Sequence, residues 1–203
     1  MSDLRVALTF DAEHPSRSGT AAGTTDEILA ALADAGVQAS FFLQGRWASA
    51  YPIVARRIAS EGHLVGNHSH YHAPMPLLSP EGVRLDVAES ERRIGDITGV
   101  DPKPWFRCPF GDGADQPSIV SALSALGYRN IDWNVDAEDW CEGRSPADVR
   151  SAVADHSAVV GASAVVLFHT WSAATAGALP DIISDLRARG ASFVTAGEVT
   201  DEP

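Results

Sequence analysis

Two cysteines in 203 residues, Cys108 and Cys141, are too few for the disulfide framework of a small secreted fold. Reduced thiols are the simpler reading, with a single bridge as the alternative. Basic residues are also scarce: 15 Lys and Arg stand against 27 Asp and Glu, giving a net charge of −12. That imbalance repels nucleic acid and anionic membrane surfaces, so neither is an expected partner, while neutral or cationic substrates stay open. No apolar run approaches the length of a membrane span, and no basic start followed by an apolar stretch opens the chain. Met1-Ser-Asp leads almost directly into an apolar strand, which reads as cytoplasmic; a secreted or cell-surface protein trimmed of its leader would look the same. No linker, low-complexity run or repeat divides the sequence. With 45% apolar residues, the chain can bury one substantial core, and residues 1–203 are expected to form a single domain.

What is present is an alternation of strands and helices. Apolar runs at 5–10, 39–43, 64–67, 105–107, 130–134, 164–168 and 192–194 read as seven strands. Between them lie helical patterns. Thr24-Thr-Asp-Glu27 has capping-box spacing and opens a helix that Gly36 stops. Further helices are expected over 48–60, from Ser79-Pro80 to Thr98-Gly99, over 115–126, from Ser145-Pro146 onward, and over 179–189. Such alternation predicts an α/β fold with a parallel sheet, economically closed as a barrel, with an open doubly wound sheet as the alternative.

In parallel α/β folds, functional groups collect where strands end. Those junctions here are Asp11-Ala-Glu13-His14, His68-Ser-His-Tyr-His72, Arg107-Cys-Pro-Phe-Gly111, Asp136-Ala-Glu-Asp139-Trp140 and His169. Carboxylates, imidazoles and a guanidinium thus gather in complementary signs. If 68–72 makes one helical turn, His68 and His72 lie on one side and can share a metal ion, while His70 points elsewhere.

The order Thr9-Phe-Asp11, His68-Ser-x-x-His72, Arg107-x-Pro-Phe-Gly111, Asp136-x-x-Asp139-Trp140 and Leu167-x-His169 resembles the polysaccharide deacetylase family, the NodB-homology fold of carbohydrate esterase family 4. Ser40 to Leu43 and Gly62-His-x-x-Gly-Asn67 match as well, so the resemblance spans nearly the whole chain. It implies a distorted (β/α) barrel, often of seven strands, that binds a divalent metal and hydrolyses acetyl groups from sugars. By that resemblance His68 and His72 ligate the metal, zinc first, with cobalt, nickel or manganese as alternatives. A metal-bound water is the implied nucleophile, its pKa lowered toward about 7. Asp11 is the implied general base, Arg107 the group that holds it, His169 the general acid and Asp139 its orienting carboxylate. The backbone N–H of Phe110 is the implied oxyanion donor, and Trp140 and Leu167 wall the acetyl pocket.

One position departs from the family pattern. A second aspartate, the third metal ligand, normally follows the base, and here that position is Ala12. Glu13 is the expected substitute, because residues 11 and 13 of an extended chain face the same side. His14 or water is the alternative. Of the remaining candidates, Trp171, two residues past His169, has a claim to sugar stacking, whereas Trp47 and Tyr51 read as helix packing. His63 reads as a packing histidine, His70 as turn-forming or substrate-side, His156 as solvated, and Asp132 and Trp133 as strand packing. A nucleophilic role for Cys108 or Cys141 is disfavoured, since it would need a histidine base. The substrate is expected to be an acetylated carbohydrate. A non-sugar amide or cyclic imide is the first alternative, and an inactive sugar-binding homologue the second.

Overall fold

The computed structural model describes residues 4–16 and 22–200; Met1 to Asp3, on which the reading of the N-terminus rested, lie outside them. Strands and helices alternate in the expected manner. The strands are β1 (Leu4–Ala12), β2 (Ser40–Leu43), β3 (Leu64–Asn67), β4 (Trp105–Phe106), β5 (Arg129–Asn130), β6 (Val135–Asp136), β7 (Ser163–His169) and β8 (Ala191–Phe193). The helices are α1 (Ala22–Ala35), α2 (Gly45–Ala50), α3 (Pro52–Ser60), α4 (Pro80–Thr98), α5 (Pro117–Ala125), α6 (Pro146–Ser157), α7 (Ala173–Ala188) and α8 (Ala196–Thr200). The class is α/β with parallel strands, as the alternation predicts.

Two compact units interleave along the chain. The first comprises the described parts of Met1–Phe10, Ser18–Ser40 and Trp133–Pro203. In it β7 lies between β6 and β1, and β8 also pairs with β1. The register aligns Leu4 with Ala191 and Val135 with Val166, both in parallel. Val6, Leu8, Phe10, Val166 and Phe168 are closed to water, and the Phe10 and Phe168 rings stack at 5.2 Å. Helices α1 and α6 both pack on α7.

The second unit comprises the described part of Asp11–Arg17 together with Phe41–Asp132. Its strands run in the order β5-β4-β3-β2, with Asn67 aligned to Phe106 and Phe106 to Asn130. Helix α4 buries Val83 and Val87 against Met75, Phe106, Leu123 and Tyr128. Its ends are set by sequence: Ser79 Oγ accepts the Gly82 N–H at 3.1 Å, Pro80 occupies the first turn, and Gly99 closes the helix at φ 74°.

Several boundaries differ from the sequence reading. The helix expected over 48–60 is two helices, broken at Tyr51-Pro52, where proline disfavours a helical residue before it. Helix α1 begins at Ala22, so Thr24 lies inside the first turn, and the Thr25 hydroxyl donates instead to the Thr170 carbonyl. Helix α7 starts at Ala173, six residues ahead of the expected Leu179, capped by Ser172 and tolerating Pro180 inside it. The strand expected over 130–134 does not form. β5 ends at Asn130 against β4, the Ile131 and Asp132 carbonyls accept from the Arg107 side chain, and β6 begins at Val135 as a separate strand paired with β7.

Candidate active site

In the second unit, β3 ends at Asn67 and hands the chain to a turn rather than a helix. The helical expectation for 68–72 is corrected: Ser69 and His72 have positive φ, 62° and 58°. Side chains hold this turn. Asn67 Oδ1 accepts the Ser69 N–H, Ser69 Oγ accepts the His72 N–H, and Asp86 on α4 accepts the N–H groups of His70 and Tyr71 at 2.8 and 3.0 Å. Asp86 was not foreseen; its only signal is a carboxylate on the apolar stripe of α4, between Val83 and Val87. His70 lies under the turn, buried beside Gly45, where an added Cβ would come within 2.5 Å of its Nδ1.

The turn brings the rings of His68 and His72 together, with their Nε2 atoms 3.1 Å apart. The Arg107 carbonyl lies 2.9 Å from His68 Nδ1; a carbonyl only accepts, so Nδ1 carries the hydrogen and the Nε2 lone pair is left for a ligand. Glu13, just past the end of β1, turns Oε2 toward both rings: it lies 3.3 Å from His68 Nε2 and contacts His72 Nε2 directly. Glu13, His68 and His72 form a buried group whose donor atoms all lie within 4.8 Å of one another. Two imidazoles and one carboxylate are the donor set of an open zinc site, and the residues present fit a divalent ion.

Asp11 sits beside this group, with Oδ2 3.5 Å from His68 Nε2 and Oδ1 accepting from Arg107 Nη1 at 2.9 Å. Two buried carboxylates, Asp11 and Glu13, thus lie against His68, and the Arg107 guanidinium pairs with Asp11. Burial works strongly against a charged His68, yet Asp11 and Glu13 together outweigh it and raise its pKa. Burial lowers the pKa of His72, against the opposing Glu13 bond. The surplus negative charge favours a cation among these side chains, whether a proton or a metal. Phe110 follows Pro109 with φ 60°; it is exposed and lays its ring edge-on to His72 at 4.4 Å.

In the first unit, β7 ends at His169. Asp139 Oδ1 accepts from His169 Nδ1 at 2.7 Å, while Oδ2 accepts the His169 backbone N–H at 2.9 Å and the Thr175 hydroxyl at 2.5 Å. The carboxylate therefore fixes the ring through Nδ1, which makes Nε2 the ring nitrogen able to exchange a proton. Thr175, in the first turn of α7, was missed because that helix was expected to start later. Leu167 is buried two residues before His169, and the Trp171 ring lies 5.0 Å from the His169 ring. Trp140 is half-exposed and donates its indole N–H to Asp136 at 3.4 Å. Burial raises the Asp136 pKa, opposed by the Trp140 bond. His156 is not simply solvated: its Nδ1 lies 2.7 Å from the Asp136 carbonyl.

The remaining candidates take structural roles. His63 is buried against Phe41, and Trp47 is buried against Tyr51. Asp132 does not pack in a strand as expected: the strand ends before it, and it is exposed. Both cysteines are free thiols. Burial, with Asp132 and Asp112 adding to it, pushes the Cys108 thiol up to about 12, so it is no nucleophile at neutral pH.

A parallel α/β fold thus carries a buried Glu-His-His group, an Asp-Arg pair and an Asp-His pair at its strand ends. The family description "Polysaccharide deacetylase" matches residues 1–131, and the chain belongs to that family. A peptidoglycan-N-acetylglucosamine deacetylase of Bacillus cereus is 30% identical over 194 residues, 94% of this chain and 66% of that protein. The chain thus spans just under two thirds of that relative. Among solved structures, BA3943 of Bacillus anthracis, described as a pseudoenzyme of carbohydrate esterase family 4, superposes with a TM-score of 0.86 at 28% identity, covering 98% of this chain and 66% of BA3943. The Bc1960 peptidoglycan N-acetylglucosamine deacetylase superposes with a TM-score of 0.85 at 28% identity, over 98% of this chain and 89% of that one. The barrel-type α/β fold of this family is therefore the fold of this chain. Among the described residues, no helix is long and apolar enough to cross a membrane.

Proposed function

We propose that this protein is a metal-dependent hydrolase that removes acetyl groups from an N- or O-acetylated carbohydrate. The observation that carries the reading is the convergence of Glu13, His68 and His72 beside the Asp11–Arg107 pair. When bound, a divalent ion such as zinc supplies Lewis acidity: it lowers the pKa of water and polarises an acetyl carbonyl. Asp11 accepts the proton of the attacking water, and Arg107, donating to Asp11 Oδ1, holds and aims that carboxylate. The Phe110 N–H stabilises the oxygen on which charge develops. His169, oriented by Asp139, protonates the departing amine or alkoxide, and Leu167, Trp140 and Trp171 contribute the apolar lining for the acetyl and sugar groups. These roles follow the family's motif order. The relatives named for peptidoglycan N-acetylglucosamine favour an amide of an acetylated amino sugar as substrate.

Acetate release from peptidoglycan fragments, acetylated chitin oligomers and acetylated xylan, with and without added zinc, tests the reading. Zinc-dependent release from at least one of them is expected. Turnover of cyclic imides with none of these glycans would move the substrate class away from sugars. A second reading, an inactive homologue, is favoured by the likeness to BA3943 and by Ala12 at the usual ligand position; absence of zinc binding at neutral pH would establish it.

A further inference from the structure

His14 follows the third metal donor, and the motif order gives it no task. Its backbone sits at φ 51°, in the left-handed region that a histidine adopts only when its surroundings hold it there. Those surroundings are specific. The His14 N–H donates to the Gln44 Oε1 at 3.1 Å, the Gln44 N–H donates to the Ala12 carbonyl at 2.9 Å, and the Tyr51 hydroxyl donates to the Pro15 carbonyl at 3.0 Å. The segment is thereby tied down at Ala12, His14 and Pro15. The result is a ring with its edge against His72, 4.7 Å between centroids, and Nε2 3.2 Å from Glu13 Oε1. The Glu13 carboxylate is thus divided: Oε1 belongs to His14, and Oε2 to His68 and His72.

This division answers a problem set by the sequence. A glutamate at the third ligand position has one more rotatable bond than the aspartate it replaces. It must be ordered to present one oxygen, and it can otherwise chelate with both. We propose that His14 is a positioning residue that donates its Nε2–H to Glu13 Oε1, so that Oε2 alone ligates the metal. The pair Glu13-His14 then does together what an aspartate does by its short reach. This rests on the metal-site reading above.

The test measures metal binding rather than turnover. The full chain is stripped with a chelator, and zinc affinity is read by competition with a chromophoric chelator. The visible absorption of the cobalt(II) form reports coordination number. Four variants separate the causes: His14→Ala, His14→Asn, His14→Gln and Glu13→Gln. Asparagine tolerates the positive φ yet stops short of Glu13, whereas glutamine carries an amide N–H to about the position of Nε2. His14→Ala and His14→Asn are expected to weaken zinc binding roughly 10–100-fold, the usual effect of losing a group that orients a ligand. Their cobalt bands are expected to weaken as Glu13 takes up two-oxygen ligation. His14→Gln is expected to regain most of the affinity and the parent spectrum. Parent-like affinity in His14→Asn overturns the proposal, since backbone shape alone would then suffice. A loss in His14→Gln as deep as in Glu13→Gln overturns it too, because the imidazole would itself be a ligand. If the parent binds no zinc, the metal reading fails along with it.

Discussion

Arg107 Nη1 donates to Asp11 Oδ1 at 2.9 Å, with the guanidinium wholly closed to water. The same side chain donates from Nε to the Ile131 carbonyl at 3.0 Å and from Nη2 to the Asp132 carbonyl at 3.4 Å, and it lies 4.2 Å over the Phe42 ring. Arg107→Ala strands a buried carboxylate and two carbonyls. Urea unfolding should show a loss of about 3–5 kcal/mol, as for other broken buried pairs. Arg107→Lys should keep the charge but lose the fork, and fall between the two. An unchanged midpoint in Arg107→Ala would contradict the account of this pair.

The Asp139–His169 pair makes a different prediction. His169→Gln should lower kcat by roughly 10²–10⁴-fold, the usual worth of a positioned general acid. Thr175→Val removes one of the hydrogen bonds to Asp139 Oδ2 and should cost about 1–3 kcal/mol of stability. Its kcat should fall far less than that of His169→Gln. Equal losses would mean that Thr175 acts in the chemistry itself.

Metal binding should be visible in stability. A ligand that binds only the folded chain, at 100 times its Kd, adds about 2.7 kcal/mol. Zinc should raise the Tm of the stripped protein, and His72→Ala should abolish the shift. A shift of the same size in His72→Ala would place the zinc elsewhere.

His63 provides a pH dependence away from the Glu13, His68 and His72 group. Burial lowers its pKa, against the charge of Glu61 and with that of Arg57. Unfolded, the ring takes up a proton near its ordinary 6.5; folded, it does so only at lower pH. Between those values the unfolded chain binds more protons, so stability falls as pH drops below about 6.5. Urea midpoints at pH 7.5 and 5.5 should therefore differ more in the parent than in His63→Gln. An equal difference would remove His63 as the cause.

Gly66, in β3, has no room for a side chain: an added Cβ would lie 2.6 Å from Phe42 Cδ1. Gly66→Ala should destabilise the protein by about 1–3 kcal/mol, as overpacked cores do. Because Phe42 carries the Arg107 guanidinium, activity measured on the folded fraction should fall as well.

The features legible in the sequence were those encoded by neighbours. Ser79-Pro80 and Ser145-Pro146 open helices α4 and α6 where their caps predict, since a cap acts within one turn. The convergence of Glu13 with His68 and His72 was legible because strand alternation carries 11 and 13 to one side. What was not legible depended on distant partners. The 68–72 turn is held partly by Asp86, from another element, so a local helix was the natural but wrong reading. Between β5 and β6, an arginine more than twenty residues earlier takes two carbonyls. Thr175 stayed hidden because α7 starts at Ala173, ahead of the expected Leu179.

The burial of Cys108 has a practical consequence. Its thiol is fully enclosed and protonated in the folded chain, between Arg107 and Pro109, whereas Cys141 is partly open. An alkylating reagent added to native protein should therefore modify Cys141 first. Cys108 should react only as fast as its surroundings open, so its labelling rate is a clock for unfolding around the Asp11–Arg107 pair, set into the chain without any engineered probe.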